Sequence, residues 1–282
     1  MSCFAQVSSS RERTPPPASA SGTPPSIDCG GQPCVAVAAA SPGLLGTIDL
    51  TGTLYTAATD TTPVVIAVIS VSGLLDTINS PTVGSTTMTS LCSNTGVTPQ
   101  IAVYYETATV PGTGGATVTE SATGEFQGDA GTMVAFAISG AATTGTITDV
   151  ACATNSGSGT SPSAIVSGFA YSDDFIFAGF ATLAPPLTSP SPNTEVGNTG
   201  TSQTGLGGAA IYQSGSSASS YTFSYTSGSG AYTTATAAIK SASPTPVPLF
   251  PEGIVPILLA VPIVYFVGRR RHPRISQGRP VS

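Results

Sequence analysis

Short blocks of apolar or alternating residues recur along the chain, separated by turns rich in Gly, Pro, Ser and Asn: LLGTIDL, VVIAVISV, QIAVYYET, ATVTES, TMVAFAIS, SAIVSG, DFIFAGFA, SYTFSY and YTTATAAIK. Each has the length of a strand, and none sustains a helical period beyond two turns. VVIAVISV and TMVAFAIS are apolar almost throughout, which is the pattern of central strands covered on both faces. SYTFSY alternates, so that Tyr221, Phe223 and Tyr225 share one face and Ser220, Thr222 and Ser224 the other. Regular short strands with turn signals and no helical stretches between them predict an all-β fold, a β-sandwich of jelly-roll-like kind.

The fold is expected over residues 27–240. Ahead of it, residues 1–26 contain TPPPASASGTPPS, a Ser/Pro-rich leader without apolar periodicity. Behind it, residues 241–248 form a second Ser/Pro linker. Gly, Pro and Ser enrichment also marks chains that bury no core. Here, however, 40% of residues are hydrophobic and they are gathered into blocks, which favours folding.

The final segment has a different character. Pro248 to Gly268, PLFPEGIVPILLAVPIVYFVG, carries one charge, Glu252, and is about the 20 residues long that a bilayer crossing requires. A transmembrane helix over residues 249–268 follows, with Pro256 and Pro262 tolerated as they are in membrane helices. Arg269, Arg270 and Arg271 come next, opening a basic tail over residues 269–282. Lys and Arg beside a span stay cytoplasmic, so the expected topology is a single pass with the sandwich outside and the C-terminus inside. The beginning of the chain, MSCFAQVSSSRERTPPP, lacks the apolar run of a signal peptide, and export is expected to depend on a segment upstream of it.

The Ser/Thr/Pro stalk, the VPLFPEG signature with Pro251, Glu252 and Gly253, the apolar span and the Arg cluster together resemble the tripartite C-terminal sorting signals of archaeal surface proteins. Those signals are akin to the PEF-type tails of bacteria. The order here is F-P-E-G rather than P-E-F-G. The resemblance covers about the last forty residues and implies a sortase-like processing enzyme of the exosortase or archaeosortase type as a partner. Residues Val64 to Lys240 resemble β-sandwich domains of secreted bacterial, archaeal and phage-associated proteins, a likeness that implies a fold and no activity.

Charge narrows the function. Between Thr14 and Ser241 stand twelve acidic residues and one base, Lys240. Such a field repels phosphate backbones, so no nucleic-acid partner is expected. His272, the one histidine, lies in the Arg tail, so no Ser or Cys of the sandwich has a histidine to activate it. Asp173 and Asp174 are adjacent and read as turn-capping residues. Glu106, Glu120, Glu125 and Asp129 follow no calcium-loop pattern, and no metal or other cofactor is expected. GLGGAA at Gly205–Ala210 fits the dinucleotide fingerprint only superficially and reads as a loop, because no helix follows it.

Five cysteines are present. In an oxidising compartment Cys29 with Cys34 would close a small loop, and Cys92 with Cys152 a larger one. Four cysteines admit three pairings, and the sequence does not choose among them. Cys3 is left over. The leading expectation is a non-catalytic, membrane-anchored cell-surface protein with a structural or adhesive role. A carbohydrate- or matrix-binding module, which needs exposed aromatics beside a groove, is the alternative, and a carboxylate-dependent hydrolase the second. Surface polysaccharide or a further copy of the chain is the partner to be expected.

Overall fold

A computed structural model describes residues 25–27, 35–40, 46–54, 63–107, 116–124, 129–192, 194–200, 205–215 and 220–242. These belong to one compact unit, Met1–Thr245. The described residues are all-β, contain no helix, and form several antiparallel sheets consistent with a β-sandwich. Among them no helix is long and apolar enough to cross a membrane, and residues 249–268 and the basic tail lie outside them.

The strands are β1 (Val35–Ala40), β2 (Gly46–Leu54), β3 (Val64–Val71), β4 (Thr82–Val83), β5 (Thr86–Thr87), β6 (Thr89–Asn94), β7 (Gln100–Glu106), β8 (Ala116–Gly124) and β9 (Gly131–Ile138) in the first half. The second half holds β10 (Thr148–Gly159), β11 (Ser163–Ser167), β12 (Phe175–Thr182), β13 (Thr188–Ser191), β14 (Glu195–Asn198), β15 (Gly207–Ser214), β16 (Ser220–Thr226) and β17 (Gly230–Ile239). Two five-stranded sheets have the orders β1-β9-β3-β7-β6 and β10-β17-β12-β15-β14. Two smaller ones have the orders β2-β8-β4-β5 and β11-β16-β13.

Three apolar layers join the four sheets into a stack. Ile48, Leu50 and Leu54 of β2 meet Val65, Ala67, Ile69 and Val71 of β3, binding the first small sheet to one face of the first large sheet. The opposite face of that sheet, through Val64, Ile66, Val68, Val134 and Phe136, packs on Phe175, Phe177, Ala235 and Ala237 of the second large sheet. The far face of the second large sheet, with Ile176, Ala178 and Phe180, packs on Phe223 and Tyr225 of the last small sheet. Both large sheets are therefore internal, which is why β3, β9 and β12 are buried at every position and carry side chains that are apolar on both faces. Burial of one such Val, Ile or Phe contributes roughly 1.5–3 kcal/mol.

The two halves repeat one another. β3 pairs β9 from Val64↔Ile138 to Val71↔Gly131, and β12 pairs β17 from Phe175↔Ile239 to Thr182↔Tyr232, without a register shift in either. On the other side, Val65↔Glu106 to Val71↔Gln100 is matched by Ile176↔Gln213 to Thr182↔Gly207. The sheet orders then correspond strand by strand, in chain order: β1 with β10, β2 with β11, β3 with β12, β4 with β13, β6 with β14, β7 with β15, β8 with β16 and β9 with β17.

Within the described residues, every strand block read from the sequence contains a strand. The GLGGAA segment is a correction. Gly207–Ala210 opens β15, fully buried between β12 and β14, rather than forming a loop. Its glycines are dictated by packing, since a Cβ on Gly208 would collide with the Thr132 side chain and one on Gly207 would come within 3.1 Å of Pro185.

The tightest point between the large sheets is the centre, where a Cβ on Gly179 would stand 2.5 Å from Cγ1 of Val68. Gly179→Ala is expected to destabilise by about 1–3 kcal/mol through overpacking, and Val68→Ala in the same chain to recover part of that loss. Urea unfolding midpoints of the two single variants and the double variant measure it. Strictly additive losses would mean that the two residues do not oppose one another.

Candidate functional site

Three places in the described residues combine polar chemistry with unusual surroundings. The first is the disulfide. Cys92 on β6 and Cys152 on β10 are bonded, with Cα atoms 5.6 Å apart, and join the outer edges of the two large sheets across the central layer. Cys152 sits in the irregular stretch between the Val150↔Ala238 and Ala153↔Thr236 pairs, where β10 departs from its ladder with β17 and brings the sulfur inward. Cys92 follows a similar irregularity between Ser90 and Cys92. Cys29, Cys34 and Cys3 lie outside the described residues, as do Pro251, Glu252, Gly253 and Arg269, Arg270 and Arg271.

The second place is acidic. Asp173 and Asp174 end the turn before β12 and are both buried, with Asp174 fully inaccessible. Asp149, near the start of β10, lies beside them, and its carboxylate accepts the Ala170 amide. The backbone fixes the corner. The Gly215 amide donates to the Asp174 carbonyl, and the Lys240 and Ala142 amides tie the end of β17 to the segment between β9 and β10. Neither carboxyl oxygen of Asp174 closes a full hydrogen bond. Burial first, then the charge and side chain of Asp149 and the charge of Asp173, push the Asp174 carboxyl up to about 8, opposed in part by the Ser241 backbone. Asp174 is therefore protonated at neutral pH, and the Asp149 side chain beside it accepts the Ala170 amide.

The third place is the aromatic strand. Phe223 and Tyr225 point into the layer between β16 and β12, and Tyr221 packs at its margin. The Phe180 and Tyr225 rings meet edge to face at 4.9 Å, and Tyr221 lies against Phe223 at 5.0 Å. The Tyr225 hydroxyl donates to Glu195 Oε2 at 3.0 Å, and Tyr221 donates to Gln213 Oε1 at 3.1 Å. Burial, and then Glu195, push the Tyr225 hydroxyl well above its ordinary value, so it stays a donor throughout the physiological range. The aromatic row is core, and its faces are taken up by protein.

A shallow cavity of 180 Å³ opens between β10 and β11, lined by Ala153, Thr154, Asn155, Ser163, Ala164 and Ile165 with Thr234 and Thr236. Its walls are methyl and hydroxyl groups with one amide. Neither the acidic corner nor the tyrosines line it. Among the described residues no group of three His, Cys, Asp or Glu side chains is arranged to hold a metal ion. The arrangement can hold a proton at Asp174 and can brace two sheet edges through sulfur. An acid pair for general acid and base work would need a solvent-facing cleft, whereas Asp174 is enclosed. Sequence reasoning treated Asp173 and Asp174 as turn residues and missed Asp149 as their neighbour. The 23 residues between Asp149 and Asp173 give no periodicity that would join them. Comparison with protein-family models, characterised proteins and solved structures gives no match for this chain.

The buried carboxyl predicts a pH dependence. Asp174 binds its proton in the folded chain up to about pH 8 and releases it in the unfolded chain near 3.8. The folded state therefore holds more protons between these values, and stability falls as pH rises from about 4 to about 8, by at most about 1.4 kcal/mol per pH unit. Thermal midpoints of wild type and Asp174→Asn measured across that window should diverge, with wild type losing ground at the alkaline end. Parallel curves would remove the Asp174 assignment.

Proposed function

We propose that the chain is a membrane-anchored cell-surface protein with a structural or adhesive role, non-catalytic, whose folded part is a pair of jelly-roll units displayed outside the cell. The observation that carries the reading is the C-terminal sequence: a nearly uncharged span over residues 249–268, preceded by Pro251, Glu252 and Gly253 and followed at once by Arg269, Arg270 and Arg271. Two features of the folded part agree with it. A disulfide between strands from separate sheets suits an oxidising, extracytoplasmic setting. A surface built of Ser and Thr with twelve acids and one base between Thr14 and Ser241 suits exposure outside a cell and disfavours nucleic acid.

The jelly-roll reading rests on strand order. In each half, counting β5 and β6 together as the fifth strand of the first, strands one, eight, three, six and five form the large sheet in that order, and strands two, seven and four belong to the small one. Two Greek keys wound together give that order. In the first half β5 pairs β4 in the small sheet, and the chain then passes directly into β6 of the large sheet, so this stretch serves both sheets in turn.

Each rival function has a requirement that weighs against it. Sugar binding requires aromatic faces open beside a groove, and Phe223 and Tyr225 have theirs buried. A carboxylate hydrolase requires an accessible acid pair, and Asp174 is enclosed. Sorting through a processing enzyme accounts for the F-P-E-G signature, and self-association or surface polysaccharide supplies the adhesive partner.

Mass spectrometry of the protein recovered from its native cells, reading both termini, tests the proposal. The expected outcome is an ectodomain released by protease added outside intact cells, with either the span retained or a new, modified C-terminus near Gly253. A chain that carries an intact RRRHPR tail and stays protease-protected within the cell overturns both topology and role.

A further inference from the structure

The contacts between the two large sheets come in matched pairs. β1 packs on β14 and β6 on β10; β9 on β15 and β7 on β17; β3 on β15 and β7 on β12; β9 on β14 and β6 on β17. Under the strand correspondence established above, each contact becomes its mate when the halves are exchanged. That is the signature of an isologous interface, the kind formed by two copies of one unit about a two-fold axis. The axis passes near Val68 and Gly179, which are equivalent to one another and in contact. Equivalent residues also face the same part of the opposite sheet: Thr132 on β9 abuts Gly208 near the start of β15, while its equivalent, Thr233 on β17, donates to the Pro99 carbonyl just before β7 at 2.5 Å.

The disulfide obeys it too. Cys92 pairs Val103 as Gly197 pairs Ala210, so Cys92 and Gly197 are equivalent. Val35 pairs Phe136, and the equivalent of Phe136, Ala237, faces the irregular stretch of β10 that holds Ala151 and Cys152. The bonded pair Cys92–Cys152 at one corner therefore corresponds to Gly197 and Val35 at the other. There, a Cβ on Gly197 would lie 3.0 Å from Cγ1 of Val35 and 2.9 Å from Cγ2 of Val37. One corner of a near-symmetric interface is closed by a covalent bond and the other by close packing.

We propose that the face between the two halves is a self-recognition surface that a second copy of this chain can occupy, first half of one against second half of the other, and that the Cys92–Cys152 bond locks the contact within a single chain. The segment leaving β9 favours such an exchange. Ala141 bridges to Ser241 and Ala142 donates to Lys240, so the connection travels with the second half, and the point of opening falls at Ser139 and Gly140, the latter at φ +76°. Pairing within one chain is favoured by an effective concentration on the order of millimolar. Pairing between chains therefore takes over only where the protein is crowded before the bond forms. The proposal rests on the fold and not on the membrane anchor.

Isotope mixing tests it on the whole chain. Equal amounts of light and heavy-nitrogen protein are reduced, unfolded, refolded together at rising concentration and reoxidised, and the linked Cys92–Cys152 peptide is weighed. Linked peptides with one light and one heavy partner should be scarce at micromolar concentration and rise towards roughly half of the total above about 1 mM. Linked peptides that stay all-light or all-heavy at every concentration overturn the proposal. Complementary full-length variants give a second readout. Cys92→Ser and Cys152→Ser chains, each unable to close the bond alone, should yield a covalent heterodimer joined through the remaining Cys92 and Cys152 when refolded together. Chains that refold with those two thiols unlinked would overturn it as well.

Discussion

Everything in the folded part depends on two sheets that have no solvent face. A sheet in a two-layer sandwich keeps one side wet and so can alternate polar and apolar residues, but the two five-stranded sheets here are each covered on both sides. The demand falls hardest on β3, β9 and β12, whose eight residues apiece are all buried. Between the large sheets the layer must also be thin enough for backbones to approach at the centre. Val68 then faces Gly179, and Thr132 faces Gly208. Close approach is obtained by omitting side chains on the second-half strands, which is why β12 and β15 contain glycines where β3 and β7 have Val68 and Ile101.

Polar groups inside the stack are handled without ion pairs among its described strands. Threonines do much of the work. Thr182 and Thr233 are fully buried and give their hydroxyls to the carbonyls of Ala231 and Pro99. Gln100, also fully buried, donates to the carbonyls of Gly73, Leu74 and Asp76 and so holds the turn after β3 closed. A neutral hydroxyl or amide meets a carbonyl at a far smaller desolvation cost than a charge does. The acidic corner follows the same rule. With one basic residue, Lys240, between Thr14 and Ser241, a buried carboxyl there is best accommodated by keeping its proton, and Asp174 does so.

How much of this was legible in the sequence follows from which strands needed strong side-chain patterns. The blocks VVIAVISV, TMVAFAIS and DFIFAGFA announced both their type and their double burial, because only a strand covered on two faces must be apolar at consecutive positions. SYTFSY announced its inward aromatics through alternation. Among the strands that stayed hidden were the edge strands β6, β10 and β14, whose residues TSLCSN, TDVACATNSGSG and EVGN look like turns. They are held by ladders with β7, β17 and β15 and need little hydrophobicity of their own. β15 was hidden for the opposite reason, since close packing replaced its first branched side chains with Gly and Ala. The acidic corner escaped because Asp149 and Asp174 meet only through the β10–β17–β12 order. The duplication escaped because it survives as phase and register rather than identity. Along the equivalent strands β3 and β12 only Ala67 and Ala178 coincide.

That last point bears on what the fold conserves. A unit paired with its own copy about a two-fold axis needs each residue at the interface to satisfy two surroundings at once, its own and that of its mate. Joining two units in one chain lifts that requirement, since each corner can then change alone. The two corners have done so. One carries Cys92 and Cys152, and the other carries Gly197 against Val35 and Val37. A cysteine at both corners would need four positions to be compatible with bonding. A bond at one corner already removes the loop-closure freedom of a 60-residue separation, which in the chain-entropy model is worth roughly 4 kcal/mol. A second bond between edges already held together would remove much less freedom. The opposite corner is thus left to packing, where a glycine lets β14 sit directly on β1.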